Sequence, residues 1–255
     1  MMSGLDTSRA SPWIVRSRPN PGAALRLLCF PYAGGAAMVF RQWPERLPEN
    51  VELLAVELPG RGARAKEAPM RVRAELVARM ADELPMQAPF AIYGHSLGAV
   101  LGFALARELR RRGKPGPVHL FVSGRRAPEL PEPAPMHQLP DAQFLERLKR
   151  LGGIPDAVLA HPELVEYFLP ILRADITLVE EEPYRPEPPL ECPITALGGD
   201  DDEKARLGEL TAWGAHTAGA FEHEVFPGGH FFIQTARDVF LGSLSRRLSR
   251  VAAAL

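Results

Sequence analysis

Residues 91–113, AIYGHSLGAVLGFALARELRRRG, place Ser96 midway between Gly94 and Gly98. The residues that lead up to the serine, FAIYG, are apolar and rich in β-forming side chains, which predicts a short buried strand. After the turn the apolar side chains recur at helical spacing, and a cluster of arginines followed by Gly113 predicts the end of a helix. Ser96 is therefore expected on a sharp turn between a strand and a helix, which the two glycines permit.

The pattern G-x-S-x-G between a strand and a helix is typical of the nucleophile elbow of α/β-hydrolases. It predicts that the Ser96 hydroxyl lies at the carboxyl edge of a sheet, above the start of a helix. The alternative is a glycine-rich turn with an incidental serine. The flanking strand and helix favour the elbow, because the five-residue pattern alone carries little information.

The rest of the chain alternates between apolar runs and amphipathic stretches. This alternation predicts the α/β-hydrolase fold, a mostly parallel central sheet flanked by helices. We assign its core to residues 1–125 and 191–255, and a helical insertion to residues 126–190. The runs that predict further strands are LRLLCF (25–30), VELLAVELPG (51–60), VHLFVSG (118–124), CPITALGG (192–199) and EHEVFPGG (222–229), and the flanking helices are expected in MRVRAELVARMADELP (70–85) and residues 231–253.

Residues 126–190 interrupt the alternation, because they contain no convincing strand and hold 12 of the 26 prolines. Two helical patterns occur there, DAQFLERLKRLGG (141–153) and HPELVEYFLPILRADITLVEEE (161–182), with Asp141 as a candidate helix cap and a kink expected near Pro170. Such a segment either packs as a decoration or forms a lid over the nucleophile. We favour the lid, since loops at the carboxyl edge of such sheets build the site.

A serine hydroxyl is a weak nucleophile until a base removes its proton, and that base needs an orienting acid. In this fold the chain order is serine, acid, histidine. His230 is the candidate base, because it stands on a glycine-rich loop between the last predicted strand and the final helix. The other histidines after Ser96 lie in a predicted strand, in the insertion or too soon after the acid loop: His119, His137, His161, His216 and His223.

The orienting acid is expected after the strand CPITALGG, where three aspartates follow one another. G-x-x-D spacing gives Asp202 from Gly199 and Asp201 from Gly198. We prefer Asp202 and keep Asp201 as the alternative. Asp200 is a candidate for capping a turn.

An oxyanion hole in this fold takes two backbone N–H groups. One belongs to the residue after the nucleophile, Leu97. The other is expected in the loop FPYAGG (30–35), which follows an early strand, and we place it at Ala33. The glycines after Ala33 let the backbone approach a substrate closely.

The amino-acid composition limits which classes of protein are possible. The chain has 255 residues, of which 46% are hydrophobic and 24% charged, as in one soluble globular domain. The net charge of −1 gives no argument for nucleic acid or an anionic membrane. No signal peptide and no membrane-spanning run are apparent, so a cytoplasmic location is expected. Cys29 and Cys192 lie in or just before predicted strands and are expected as buried free thiols.

Several motifs together resemble one family, the discrete type II thioesterases that accompany polyketide synthases and nonribosomal peptide synthetases. The resemblance implies Ser96 as nucleophile, His230 as base and an acid in the GGDDD loop, and the family spacing favours Asp202. The acid loop departs from the family because DDDEKAR lacks the ending D-P-x-V. The motifs are LLCFPYAGG, ELPGRGAR, GHSLGA, LGGIPDAVL, FLPILRADITLVE, PLECPITALGGDDD and FPGGHFFI.

The reaction that this resemblance implies is hydrolysis of acyl thioesters on the phosphopantetheine arm of carrier proteins, which removes stalled or aberrant acyl groups. No metal or bound cofactor is implied. Three alternatives stay open: a carboxylester hydrolase with the same triad, an enzyme that transfers the acyl group to a nucleophile other than water, and a non-catalytic binding protein on the same fold.

The helices of the insertion are expected to line an acyl chamber above Ser96. The phosphopantetheine arm is expected to enter at its rim, near Tyr32 and Met38. Arg125 and Arg126 are candidates for contact with the acidic face of a carrier protein, and plain solvated arginines are the alternative. The chamber residues expected are Phe144, Leu148, Phe168 and Leu172.

Overall fold

The structure is a computed structural model that describes residues 11–86, 89–154 and 156–255. The first ten residues, on which the expectation of no signal peptide partly depends, lie outside this description, as does Pro155 in the motif LGGIPDAVL. Within the described residues no helix is long and apolar enough to cross a membrane.

Seven strands form one sheet in the spatial order β1-β3-β2-β4-β5-β6-β7. The strands β2 to β7 run parallel to their neighbours, and β1 pairs antiparallel with β3 at one edge. The α/β-hydrolase architecture predicted from the sequence is confirmed. The strands are β1 (Ile14–Val15), β2 (Leu25–Phe30), β3 (Val51–Val56), β4 (Phe90–His95), β5 (Leu120–Ser123), β6 (Ile194–Gly199) and β7 (Phe221–Phe226).

Eight α-helices surround the sheet among the described residues. The predicted C-terminal helix is divided into two pieces at Ala236, and a two-residue strand, β1, was not predicted. The helices are α1 (Arg73–Glu83), α2 (Leu97–Arg111), α3 (Asp141–Arg150), α4 (Asp156–Leu159), α5 (Pro162–Glu180), α6 (Leu207–Thr211), α7 (Phe232–Thr235) and α8 (Arg237–Ala253).

The side chains of the sheet alternate between two apolar layers. In β2, Leu28 and Phe30 pack with α1 and α2 on one face, whereas Leu27 and Cys29 pack with α8 on the other. This follows from the two-residue period of a strand, and it explains why a strand buried on both faces has a nearly continuous apolar sequence. Cys29 is buried and Cys192 is half-buried, and both thiols are free.

The helices α3, α4 and α5 lie between β5 and β6 and form a third apolar cluster of their own. The expected cap of α3 is corrected: the cap position is Pro140, and Asp141 is the first helical residue, whose carboxylate accepts hydrogen bonds from the Arg173 guanidinium. The helix α5 continues through Pro170, with an exposed first half and a largely buried second half.

Candidate active site

Ser96 occupies the turn between β4 and α2, with φ 54° and ψ −110°. It is the one non-glycine residue with positive φ among the described residues. A Cβ on Gly94 would lie 2.0 Å from the Gly98 carbonyl oxygen, and a Cβ on Gly98 would lie 2.2 Å from the Phe30 carbonyl oxygen. Both glycines are therefore required by the close approach of strand and helix, and this approach holds the serine in a strained conformation.

His230 lies on the loop between β7 and α7, and Asp202 lies on the loop after β6. The His230 Nδ1 is 3.0 Å from Asp202 Oδ2 and 3.2 Å from Oδ1. The Asp202 side chain is fully buried, and its Oδ1 also accepts the Lys204 N–H at 2.9 Å. A buried carboxylate on Nδ1 holds the imidazole with its proton on that nitrogen, which leaves Nε2 free to accept a proton.

The two neighbouring aspartates have other contacts. Asp201 is exposed, and its backbone N–H donates to the Gly228 carbonyl at 3.0 Å. Asp200 Oδ1 accepts the Gly228 N–H at 2.7 Å, so it ties the acid loop to the histidine loop. The structure therefore brings Asp202 onto the imidazole, while Asp200 and Asp201 fix the backbone beside it.

Ser96 and His230 line one cavity of about 50 Å³ at the carboxyl edge of the sheet. No hydrogen bond joins their side chains within the part of the chain that the structure describes. Such bonds are often long before substrate binds and tighten only in the complex.

The backbone N–H groups of Ala33 and Leu97 have no acceptor among the described residues. Leu97 is the first residue of α2, where the helix dipole favours negative charge. Ala33 lies in a turn closed by the Gly35 N–H donating to the Tyr32 carbonyl at 2.9 Å, so the Tyr32 carbonyl and the Ala33 N–H point in opposite directions. Both N–H groups are thus available to an oxyanion, and their role as an oxyanion hole stays a prediction.

The cavity has an apolar lining that comes partly from the insertion. Of the four expected chamber residues, Leu148 lines the cavity, together with Leu151, Ile176, Val179 and Phe231. Phe144, Phe168 and Leu172 do not line it: they belong to the apolar cluster that packs α3 against α5. The expectation is corrected for these three, because helical periodicity shows which face is apolar but not which of its residues border a cavity.

Tyr32 lines both this cavity and a separate outer groove of about 310 Å³. Met38, 61% exposed, lines only the outer groove. The Tyr32 hydroxyl accepts a hydrogen bond from the Gln234 side-chain amide at 2.8 Å. The two rim residues are therefore placed together, with Tyr32 between the serine and the outer surface.

The expected carrier-binding arginines are not on the surface. The Arg125 side chain is 13% exposed and donates to Glu132 at 3.1 Å. The Arg126 side chain is 5% exposed and pairs with Glu209 at 2.9 Å. The prediction that they contact a carrier protein is wrong, because both guanidiniums pair with carboxylates inside the protein. Arg125 instead borders the cavity.

Sequence reasoning overlooked His95, which precedes the serine. It is fully buried, its Nδ1 lies 2.8 Å from the Ser123 hydroxyl, and its ring centroid is 5.1 Å from that of His230. Burial, followed by the nearby His230, lowers the pKa of His95 well below its usual value. His95 is therefore neutral and packs beside His230 without being exposed to a substrate. The sequence feature that could have drawn attention to it is its position directly before Ser96 in GHSLG.

One family model matches most of the chain. The thioesterase domain model matches residues 25–248. The chain belongs to the thioesterase family. The gramicidin S biosynthesis protein GrsT of Aneurinibacillus migulanus is 39% identical to this thioesterase over 249 residues, which are 96% of this chain and 97% of GrsT.

Two solved structures are similar over most of this thioesterase. RedJ, a thioesterase of the prodiginine pathway of Streptomyces coelicolor, has a TM-score of 0.84 and 42% identity, covering 88% of this chain and 90% of RedJ. BorB, the type II thioesterase of the borrelidin biosynthetic cluster, has a TM-score of 0.82 and 38% identity, covering 92% and 97%. This thioesterase is thus a thioester hydrolase on the α/β-hydrolase fold.

Proposed function

We propose that this thioesterase removes acyl groups from the phosphopantetheine arms of carrier proteins during polyketide or nonribosomal peptide biosynthesis. The observation that carries the proposal is the buried Asp202 carboxylate on His230 Nδ1, beside a strained Ser96 that opens onto a small cavity. The names of the similar proteins supply the biosynthetic setting. The partner is the carrier protein, and its arm is proposed to enter past Tyr32.

In the proposed first step, Ser96 Oγ attacks the thioester carbonyl carbon while His230 Nε2 takes the hydroxyl proton. The carbonyl oxygen becomes an oxyanion that accepts hydrogen bonds from the Ala33 and Leu97 N–H groups. The C–S bond then breaks, and the proton on Nε2 goes to the leaving thiolate. A thiol has a pKa of about 8.5, so this departure needs less help from a general acid than that of an amine.

In the proposed second step, His230 Nε2 takes a proton from water, and the water oxygen attacks the acyl-serine ester. The tetrahedral intermediate uses the same two N–H groups. The Ser96–acyl bond breaks, the serine regains its proton, and the free acid leaves. Every group in this scheme belongs to the chain or to substrate and water, so no cofactor is proposed.

The insertion, residues 126–190, is proposed to cover the acyl group during both steps. The support is that α3 and α5 supply Leu148, Ile176 and Val179 to the same cavity as Ser96. Excluding bulk water above the serine strengthens the hydrogen bonds to the oxyanion.

Matched substrates test the chemistry of this proposal. The rate of release of one acyl group is measured from its pantetheine thioester and from the corresponding oxygen ester, with the wild type and with Ser96→Ala. We expect faster release from the thioester and loss of both activities in the variant. A preference for the oxygen ester would favour a carboxylester hydrolase, and release of an acyl conjugate instead of the free acid would favour an acyltransferase.

A further inference from the structure

A buried ion pair connects the inserted helix α5 to the loop that carries Ala33. Arg61 follows β3, and Asp175 lies in the second half of α5. Arg61 Nη1 is 2.6 Å from Asp175 Oδ2, and Arg61 Nη2 is 2.7 Å from Oδ1, so the pair is bidentate. The two side chains are 6% and 1% exposed. Arg61 and Asp175 lie in the motifs ELPGRGAR and FLPILRADITLVE, and neither residue has a role predicted from the sequence.

Both members of the pair bind the backbone of the Ala33 turn. Asp175 Oδ2 accepts the Gly34 N–H at 2.7 Å, and Arg61 Nη1 donates to the Gly35 carbonyl at 3.1 Å. One turn of α5 earlier, Leu172 packs on the same glycine, since a Cβ on Gly34 would lie 2.6 Å from its Cδ2. The turn is therefore held from one side by α5 and from the other by the loop after β3.

These contacts fix the conformation of the turn. Gly34 has a φ of 77°, which is the left-handed value that a type II turn needs at its third residue. A carboxylate on the Gly34 N–H holds the central peptide of the turn in that orientation. The Ala33 N–H belongs to the preceding peptide, so its direction depends on the central peptide staying where it is.

Charge explains why a guanidinium accompanies the carboxylate. A lone buried carboxylate next to the turn would oppose the negative charge that forms on the substrate oxygen. The bidentate Arg61 neutralises Asp175 while leaving its Oδ2 available to Gly34. A buried ion pair is by itself weak evidence for stability, so its contacts to this turn point to a geometric role.

We propose that Arg61 and Asp175 are positioning residues for the oxyanion hole, which makes the second half of α5 a fixed part of the catalytic scaffold. This inference rests on the proposed acyl-enzyme mechanism.

The test uses Asp175→Asn and Arg61→Lys in the full chain, with Glu187→Gln as control. The Glu187 carboxylate, 22% exposed, pairs at 2.6 Å with Arg107, which is 10% exposed. Arg107 lies ten residues after the start of α2, about 15 Å from the elbow. Three quantities are measured in two experiments: kcat and KM on a small soluble thioester, and the Kd of an alkyl boronic acid, which forms a tetrahedral adduct with an active serine.

We expect kcat to fall about 10- to 100-fold in both site variants with KM within about threefold, because a displaced N–H weakens only the transition state. The boronic acid should bind more weakly by the same factor, and the control should match the wild type in all three quantities. Wild-type kcat and boronate affinity in folded site variants would overturn the inference, as would equal losses in the control.

The measurement of boronic acid affinity separates this inference from the proposed function. If the wild type cleaves no thioester, the proposed function fails, yet boronate affinity still reports the geometry of the hole. If Asp175→Asn does not fold, Arg61→Lys carries the same two measurements, because it keeps the positive charge while losing the bidentate geometry.

Discussion

Single residues at the elbow are constrained by backbone contacts more than by side chains. Gly98 is the clearest case, because a Cβ added there would lie 2.2 Å from the Phe30 carbonyl oxygen. That oxygen belongs to the backbone, so it cannot move aside as the end of a flexible side chain could. Gly208 in α6 offers the opposite situation, with nothing within 4 Å of the added Cβ.

This contrast predicts opposite effects of one substitution. Gly98→Ala should lower the free energy of unfolding by about 2–4 kcal/mol, because the strand and helix must move apart. Gly208→Ala should raise it by up to about 1 kcal/mol, since alanine is the better helix former. Urea denaturation measures both values, and equal stabilities would refute the close-approach argument.

The acid loop gives a second prediction at this scale. Asp202→Asn should lower kcat about 10³- to 10⁴-fold, because the amide no longer holds the proton of His230 on Nδ1. Asp201→Asn should change kcat less than about threefold, since its side chain is exposed and makes no contact with the imidazole. Steady-state kinetics on a thioester decides, and the reverse ranking would assign the acid to Asp201.

Among the elements, α3 supplies a side chain that lines the cavity beside Ser96. Leu148 lines the cavity, whereas Leu145 packs on the apolar cluster without lining it. A larger side chain at position 148 would take up space in the cavity that Ser96 borders.

Leu148→Phe should therefore reduce kcat/KM for longer acyl thioesters about 10-fold or more while largely sparing acetyl thioesters. Leu145→Phe, on the same helix, should leave the chain-length preference as in the wild type. A series of acyl thioesters of increasing length measures both. An identical chain-length profile for the two variants would place the acyl chamber away from α3.

The residue before β5, His119, makes stability depend on pH. His119 lies beside Thr195 of β6, with Nε2 to Oγ1 at 2.8 Å. Burial, and then the charges of Arg247 and Arg250, lower the pKa of His119 from 6.5 to about 4. The unfolded chain takes up a proton below about pH 6.5, and the folded chain does so only near pH 4.

Between these two pH values the unfolded state binds more protons, so stability rises with pH and is lost on acidification. The loss from His119 reaches at most about 3 kcal/mol by pH 4. His119→Gln, which keeps a hydrogen-bonding group towards Thr195, should flatten the decline of unfolding free energy between pH 6.5 and 4. Chemical denaturation at several pH values measures it, and an unchanged slope would contradict this assignment.

Across the whole molecule, the features that the sequence predicted are those with local signals. Strands β2 to β7, the elbow and the main helices each have an apolar period or a turn motif, and His230 and Asp202 follow from their places after strands. The two-residue β1 was missed because its antiparallel pairing with β3 has no local period to reveal it.

The features that were missed depend on contacts that form only on folding, some of them between distant parts of the chain. Arg61 and Asp175 are separated by 114 residues, and nothing near either one indicates the other. Arg125 and Arg126 looked like surface cations, because their acidic partners Glu132 and Glu209 are brought to them only by folding. Buried charge pairs of this kind cannot be predicted from composition or from the periodicity of apolar residues.

We expect Ser96 to remove an acyl group from a carrier protein, and intact-protein mass spectrometry follows that removal on the carrier itself. An acylated phosphopantetheinyl carrier protein is incubated with a catalytic amount of the wild type or of Ser96→Ala, and the mass of the carrier is followed over time. We predict that each wild-type enzyme molecule deacylates many carrier molecules, so that the carrier returns to the mass of its free-thiol form. With the variant, the carrier stays acylated. A carrier that keeps its acyl group with the wild type, or loses it equally fast with Ser96→Ala, would show that Ser96 does not perform this reaction.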